Sequence, residues 1–217
     1  CAEGQDLDYI FKAADEINRF YNGNTVHIRG IIEFSNYCRA SCAYCGLNAG
    51  NKELKRYRME PDEIIEVAKK AYDAGYKTIV LQSGEDLWYS KEKISYIIRE
   101  IKAIGGLAIT LSVGERAYED YRQWKEDGAD RFLLKHETIN PRLYKSLHPH
   151  STLANRILCL KRLKTLGYQT GSGFMIGLPG QTTRDIAKDI LFLNRLEVDM
   201  AGIGPFIPPQ GAALRDA

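Results

Sequence analysis

Apolar residues recur at helical intervals through the chain and alternate with short β-branched runs. Leu7, Ile10, Phe11, Ala14, Ile17 and Tyr21 are spaced to line one face of a helix over residues 6–21. A strand is predicted over 27–34. Pro61, whose missing N–H costs nothing at a first helical position, opens a helix that carries Ile64, Ile65, Val67, Ala68 and Ala71 and stops at Gly75. Strand 78–81 follows, then a helix with Ile94, Ile97, Ile98, Ile101 and Ile104, ended by Gly105. The pattern continues with strand 107–112, helix 116–127 closed by Gly128, strand 130–135, and helix 153–166 ending at Gly167. Strand 169–176 leads to helix 182–194, where Thr182 and Asp185 have capping-box spacing, and strand 198–203 comes last. Four successive helices stop at glycine, the residue that reaches the left-handed cap cheaply, which makes these boundaries firm.

Strands joined by helical crossovers lie parallel with right-handed connections. The pattern predicts an α/β fold, a TIM-type (β/α) barrel or part-barrel with about six parallel strands, rather than an open doubly wound sheet. A full eight-stranded barrel takes about 250 residues, so the final strands are expected to be missing. Residues 1–217 are expected to form one core domain with a preceding N-terminal helix. The first residue is Cys1 rather than a start methionine, so the numbering is expected to begin inside a longer gene product.

The charge balance, 30 Lys+Arg against 28 Asp+Glu, gives +2. That excludes the broad electrostatic footprint of a nucleic-acid binder or a polybasic membrane protein. No apolar run approaches the roughly 20 residues a bilayer span needs, and the first residues are not a secretory signal. Five cysteines is an odd number, and three fall within residues 38–45. A disulfide framework does not fit that pattern; metal or redox chemistry in a reducing, cytoplasmic setting does.

Cys38, Cys42 and Cys45 form a C-x3-C-x2-C run that can converge on one metal centre. A structural zinc site would need four closed ligands, and no partner C-x2-C or H-x3-5-H lies downstream; a zinc-stabilised, non-catalytic module remains the alternative from another class. Cys159 reads as a core thiol in mid-helix, and Cys1 has no assigned role. Three thiolates on a 4Fe–4S cube leave one iron without a protein ligand, and an open position is what makes a metal centre catalytic. A small molecule with a chelating amine and carboxylate could fill it.

This spacing, with Tyr44 just before the third cysteine, resembles the radical-SAM superfamily signature. The resemblance implies that the methionine end of S-adenosylmethionine (SAM) chelates the open iron. It also implies that reductive cleavage of SAM releases a 5′-deoxyadenosyl radical. No catalytic residue beyond the cluster and SAM is implied. Barrel sites of this kind gather at the C-terminal strand ends. Gln82-Ser83-Gly84-Glu85-Asp86 resembles the family's G-G-E element for the SAM amino group, with Ser83 in place of the first glycine. Glu137 could accept bonds from ribose hydroxyls or an ammonium, and Arg156 could fork onto the SAM carboxylate. His136 could simply be packed. Gly171, Gly173 and Gly177 look like the strand-five element behind the adenosine, and Ile203-Gly204-Pro205 like the adenine-contacting element.

Five segments narrow the resemblance to FeFe-hydrogenase maturases of the HydE type: 33–38, 55–59, 80–86, 136–138 and 202–208. Biotin synthase and methylornithine synthase are the nearest alternatives. The resemblance implies assembly of the di-iron precursor of the hydrogenase active site under anaerobic conditions. It implies an electron donor such as ferredoxin or flavodoxin, a partner tyrosine-lyase maturase and a scaffold GTPase. An anionic organometallic substrate would then sit inside the barrel, with Thr110, Ser112, Arg131, Lys135, Thr170, Ser172 and Met175 as inward-facing candidates. Arg131, Leu133 and Lys135 share one face by strand parity. Two cations there are costly to bury unless an anion or carboxylate meets them; the competing reading has them outward, paired with helix acids. The family's later strands and C-terminal segment, with any auxiliary cluster, are absent from these residues. The chain is therefore expected to keep SAM-binding residues, to turn over weakly or not at all, and to aggregate through its strand-six edge.

Overall fold

The computed structural model describes residues 4–215; Cys1 lies outside them. Helix α1 (Gln5–Asn22) precedes strand β1 (Gly30–Ser35), followed by α2 (Pro61–Asp73), β2 (Thr78–Ser83), α3 (Lys91–Ile104), β3 (Ala108–Ser112) and α4 (Tyr118–Glu126). Then come β4 (Arg131–Leu133), the short α5 (Pro141–Leu147), α6 (Leu153–Thr165), β5 (Gln169–Ile176), α7 (Thr183–Leu196) and β6 (Met200–Pro205). The six strands form one sheet in sequential order, every neighbouring pair parallel. That is the order of a (β/α) part-barrel, with β1 and β6 at the two edges of the sheet among the described residues.

Strand parity sorts the residues into two layers. Ile32, Phe34, Ile79, Leu81, Ile109, Leu111 and Phe132 face the helices and join Ile64, Ile97, Ile98, Trp124, Leu160 and Leu163 in the main core. The opposite face, the barrel interior, carries Thr78, Val80, Gln82, Thr110, Ser112, Arg131 and Leu133 in matched register. A smaller cluster of Leu143, Leu147, Met175 and Leu178, joined by Tyr44, Phe206 and Leu214, closes the C-terminal mouth.

Gly75, Gly105, Gly128 and Gly167 all take positive φ, as the helix-end reading requires. Asp185 and Thr182 complete the expected capping box. Boundaries move, those of β1, β4 and β6 among them. The first strand begins at Gly30 rather than 27, the last at Met200, and β4 covers only Arg131–Leu133 of the expected 130–135. Beyond Leu133 the β4–β5 ladder loses a residue of register: Leu134 N–H still reaches Gly171 C=O, but the next bond to β5 runs from Glu137 N–H to Gly173 C=O. The apolar stripe of α1 is exposed, Phe11 at 63% and Tyr21 at 76%, so its helical period is real but covers no core among the described residues.

Candidate functional site: a cysteine loop at the C-terminal mouth

The long segment between β1 and α2 holds the cysteines, and its backbone is tied down by side chains. Arg56 donates to the carbonyls of Asn36, Leu47, Asn48 and Asn51. Asn36 answers with bonds to Lys55 C=O and from Tyr57 N–H. Arg58 forks onto Asp86, at 2.7 and 3.0 Å, beneath the ring of Tyr37 at 3.7 Å. Asp86 also accepts from Ser35 Oγ, so the ends of β1 and β2 are locked together. Burial alone would raise the Asp86 pKa; Arg58, Ser35 and the Trp88 N–H outweigh it and hold the carboxyl below its ordinary value.

Gly84 is where the two strand ends nearly touch. A Cβ there would meet Tyr37 O and would lie 2.7 Å from Cys38 Cβ. The close approach lets Glu85 N–H reach Cys38 Sγ at 3.3 Å, and Ala40 N–H reaches the same sulfur at 3.4 Å. Two N–H donors on one sulfur suit a thiolate. Burial pushes the Cys42 thiol up to about 12, with Cys45 and Cys38 adding to the rise, and Cys45 is raised chiefly by burial, with Cys38 contributing. Cys42 therefore feels the charge of both other sulfurs, and Cys45 that of Cys38. A bound cation reverses that cost, because a coordinating thiol is deprotonated outright.

Around the loop stand the other mouth residues. Glu137 is 6% exposed, sits at φ 62°, and its Oε2 lies 3.4 Å from Lys135 Nζ without a hydrogen-bond partner. Its pKa is raised by burial, with Lys135 and Arg156 pulling it back, and its charge reaches Tyr44 and Cys45. Arg156 is buried. Its Nε lies 2.7 Å from Glu115 Oε1, and its remaining bonds go to Tyr144 Oη and Lys135 C=O. Glu85 points back into the protein: its carboxylate takes Arg39 Nε and Glu115 N–H, so only its main chain lines the mouth. Ser83 donates to Gly84 C=O at 2.7 Å.

The interior candidates divide. Thr110 faces inward with an unpartnered buried Oγ1, and Ser112, Lys135 and Met175 share that layer. Lys135 has the carboxylate its burial calls for, in Glu137. Arg131 also faces inward, but it opens β4 and bonds Gln169 Oε1 and Thr78 Oγ1, at the end of the strands away from the cysteines. Thr170 and Ser172 are corrections. Thr170 is in register with Phe132, so both point to the helix layer, the opposite parity from Met175. Ser172 Oγ meets His136 Nδ1 at 2.9 Å, and His136 packs against Phe192 of α7. Ile203 pairs with Phe174 on that outer side, leaving Gly204, beside Met175, on the inner one. Gly173 keeps its close-approach role, since a Cβ there would strike the Gly202 backbone.

Three polar groups escaped the sequence reading. Glu115, 7% exposed, gathers Arg156, Ser151 and Asn155. Arg116 donates to the carbonyls of Tyr89 and Asp86. Both follow β3, the one inner strand end whose trailing residues were not read for chemistry. His148, at the end of α5, lies 3.5 Å from Cys42 Sγ. With His150 it forms a group of ligand atoms within 4.8 Å of one another.

The donor set fits an iron–sulfur cluster with SAM beside it: three thiols on one loop, two N–H groups on one of them, and at the rim a buried carboxylate oxygen without a hydrogen-bond partner. The chain is 59% identical over 205 residues to the FeFe-hydrogenase maturase subunit HydE of Thermotoga maritima, across 94% of this chain and 59% of that protein. It is 30% identical to 3-methylornithine synthase of Methanosarcina acetivorans, across 97% of this chain and 60% of the relative. The solved structure of a methylornithine synthase superposes over the whole chain and 64% of its own, with a TM-score of 0.93 at 26% identity. The chain thus spans about three fifths of the curated relatives it matches. The family model described as the radical SAM superfamily matches residues 32–193, and on that match the chain belongs to the radical SAM superfamily.

Proposed function

We propose that the chain is the catalytic core of a radical SAM enzyme acting in assembly of the di-iron precursor of the FeFe-hydrogenase active site. The observation that carries this is the cysteine loop: three thiols seated over the strand ends, in a chain 59% identical to a HydE maturase. Residues 1–217 are read as one core domain. Cys38, Cys42 and Cys45 would hold the 4Fe–4S cluster. The mouth residues would hold SAM: the main chain at Ser83, Gly84 and Glu85, the carboxylate of Glu137, the guanidinium of Arg156, the ring of Tyr44, and the backbone at Ile203 and Gly204. The chemistry the bound pair supplies is reductive cleavage of the SAM sulfonium to a 5′-deoxyadenosyl radical.

This chain's own part is placement and exclusion of water. Tyr44, Leu147, Met175 and Leu178 pack an apolar floor beside the loop. Glu137, whose Oε2 is ion-paired to Lys135 but has no hydrogen-bond partner, can accept from an ammonium or hydroxyl of the ligand. Thr110, Ser112 and Lys135 line the interior where an anionic substrate would lie. A ferredoxin- or flavodoxin-like donor and companion maturases, a tyrosine lyase and a scaffold GTPase, complete the reading, in the cytoplasm. Among the described residues, no helix is long and apolar enough to cross a membrane.

A second reading has one observation in its favour: Cys42, His148 and His150 could hold zinc. Metal analysis separates the two. Anaerobically reconstituted protein is expected to carry iron and labile sulfide and to release 5′-deoxyadenosine from SAM under reduction. One zinc per chain with no sulfide would reject the proposal. Rescue of hydrogenase maturation in a host lacking its HydE-type maturase tests the substrate assignment; failure favours a methylornithine- or biotin-synthase-like reaction.

A further inference from the structure

His148 has no part in the iron–sulfur reading above, yet its surroundings are built around one contact. The residue is 1% exposed. Its ring stacks on Tyr144, with centroids 4.4 Å apart and planes 19° apart, and meets the edge of Tyr44 at 5.2 Å. The backbone fixes it from both sides: His148 N–H bonds Tyr144 C=O, and Leu147 C=O accepts from Ala43 N–H at 2.9 Å. Residue 147 is thereby pinned to residue 43, and the imidazole of 148 falls beside the sulfur of 42.

That sulfur is the ring's single polar partner among the described residues, since Nε2 is buried without one. Phenylalanine would stack on Tyr144 equally well and would avoid burying two ring nitrogens. What histidine adds here is a donor to Cys42. A cluster-bound thiolate accepts and cannot donate, so the nitrogen facing it must carry the proton.

We propose that His148 is a positioning residue for the cluster, its Nδ1–H bonded to Cys42 Sγ so as to orient that ligand and raise the cluster's reduction potential. Resting on the cluster reading, this deepens it. A donor on a ligand sulfur favours the reduced cluster, which carries one more negative charge. The readout is therefore a potential rather than turnover.

The full chain, reconstituted anaerobically as wild type, His148→Phe and His148→Asn, is titrated electrochemically with EPR detection. His148→Phe is expected to keep its iron and sulfide and to become about tenfold harder to reduce, a shift of about 59 mV for a one-electron couple. His148→Asn, which keeps an N–H donor, is expected to recover part of that shift. In wild type, a weak hyperfine coupling to histidine nitrogen is expected. A loaded His148→Phe with the wild-type potential overturns the inference, as does a strong coupling that marks the ring as an iron ligand. If His148→Phe fails to load, loading of His148→Asn near the wild-type potential supports the donor role, and failure of both reduces the ring to packing and overturns it. Wild-type protein that takes up no cluster at all overturns the proposed function, and this inference with it.

Discussion

A methyl group at Gly84 would decide the site. It has no room between Tyr37 O and Cys38 Cβ, and the donors that reach the Cys38 sulfur depend on that close approach. Gly84→Ala is expected to destabilise the chain by about 1–3 kcal/mol, as overpacking does, and to lower iron per chain after reconstitution. Full iron content with unchanged stability would contradict this. Glu137 makes a different case, because its Oε2 has an ion pair with the partly exposed Lys135 but no hydrogen bond within the fold. Glu137→Gln is expected to leave the denaturation midpoint unchanged or higher while weakening SAM binding about tenfold or more, the scale of a charged hydrogen bond; calorimetry of the reconstituted protein measures it. Glu115 differs again, being the buried partner of Arg156. Glu115→Ala strands that guanidinium and is expected to cost about 3–5 kcal/mol, read from urea unfolding.

At the scale of elements, legibility in the sequence followed period and punctuation. Helices ending in glycine and carrying apolar residues at helical spacing were readable; α5, seven residues long, was not. Its signal was Asn140-Pro141, a cap followed by a first-position proline. Asn140 Oδ1 does accept from Arg142 and Leu143 N–H, so Asn140→Ala is expected to cost about 1 kcal/mol. Strand faces were legible on β4 but not on β5. There polar Thr170 and Ser172 occupy the helix side, because His136 and the Tyr168 carbonyl satisfy their hydroxyls, and the inner positions fell to glycines. Polarity alone could not reveal that inversion.

The lock between β1 and β2 carries a pH dependence. Asp86 titrates below its ordinary value when folded, so in acid the unfolded chain takes up its proton first and stability rises with pH through that window. The stability difference between wild type and Asp86→Asn is expected to be constant above about pH 5 and to shrink as pH falls below about 4. A gap that widens in acid would contradict the sign.

For the whole molecule, the sheet order was legible because every crossover between neighbouring parallel strands passes through a helix. The arrangement of the mouth was not, because it is made by contacts between residues more than a hundred positions apart, such as Cys42 and His148. The exposed stripe of α1, with Phe11 and Tyr21, and the open edge at β6 leave apolar surface and backbone groups uncovered. Self-association that grows with concentration is expected in sedimentation velocity; a monodisperse monomer at high concentration would contradict it.

The central claim is an iron corner that Cys38, Cys42 and Cys45 leave open for SAM. EPR of the reduced, reconstituted chain, recorded before and after SAM is added, tests it most directly. The account predicts a 4Fe–4S signal that changes on addition of SAM and that is lost in Cys38→Ala, Cys42→Ala and Cys45→Ala alike. A cluster signal indifferent to SAM, or zinc in place of iron and sulfide, would contradict it.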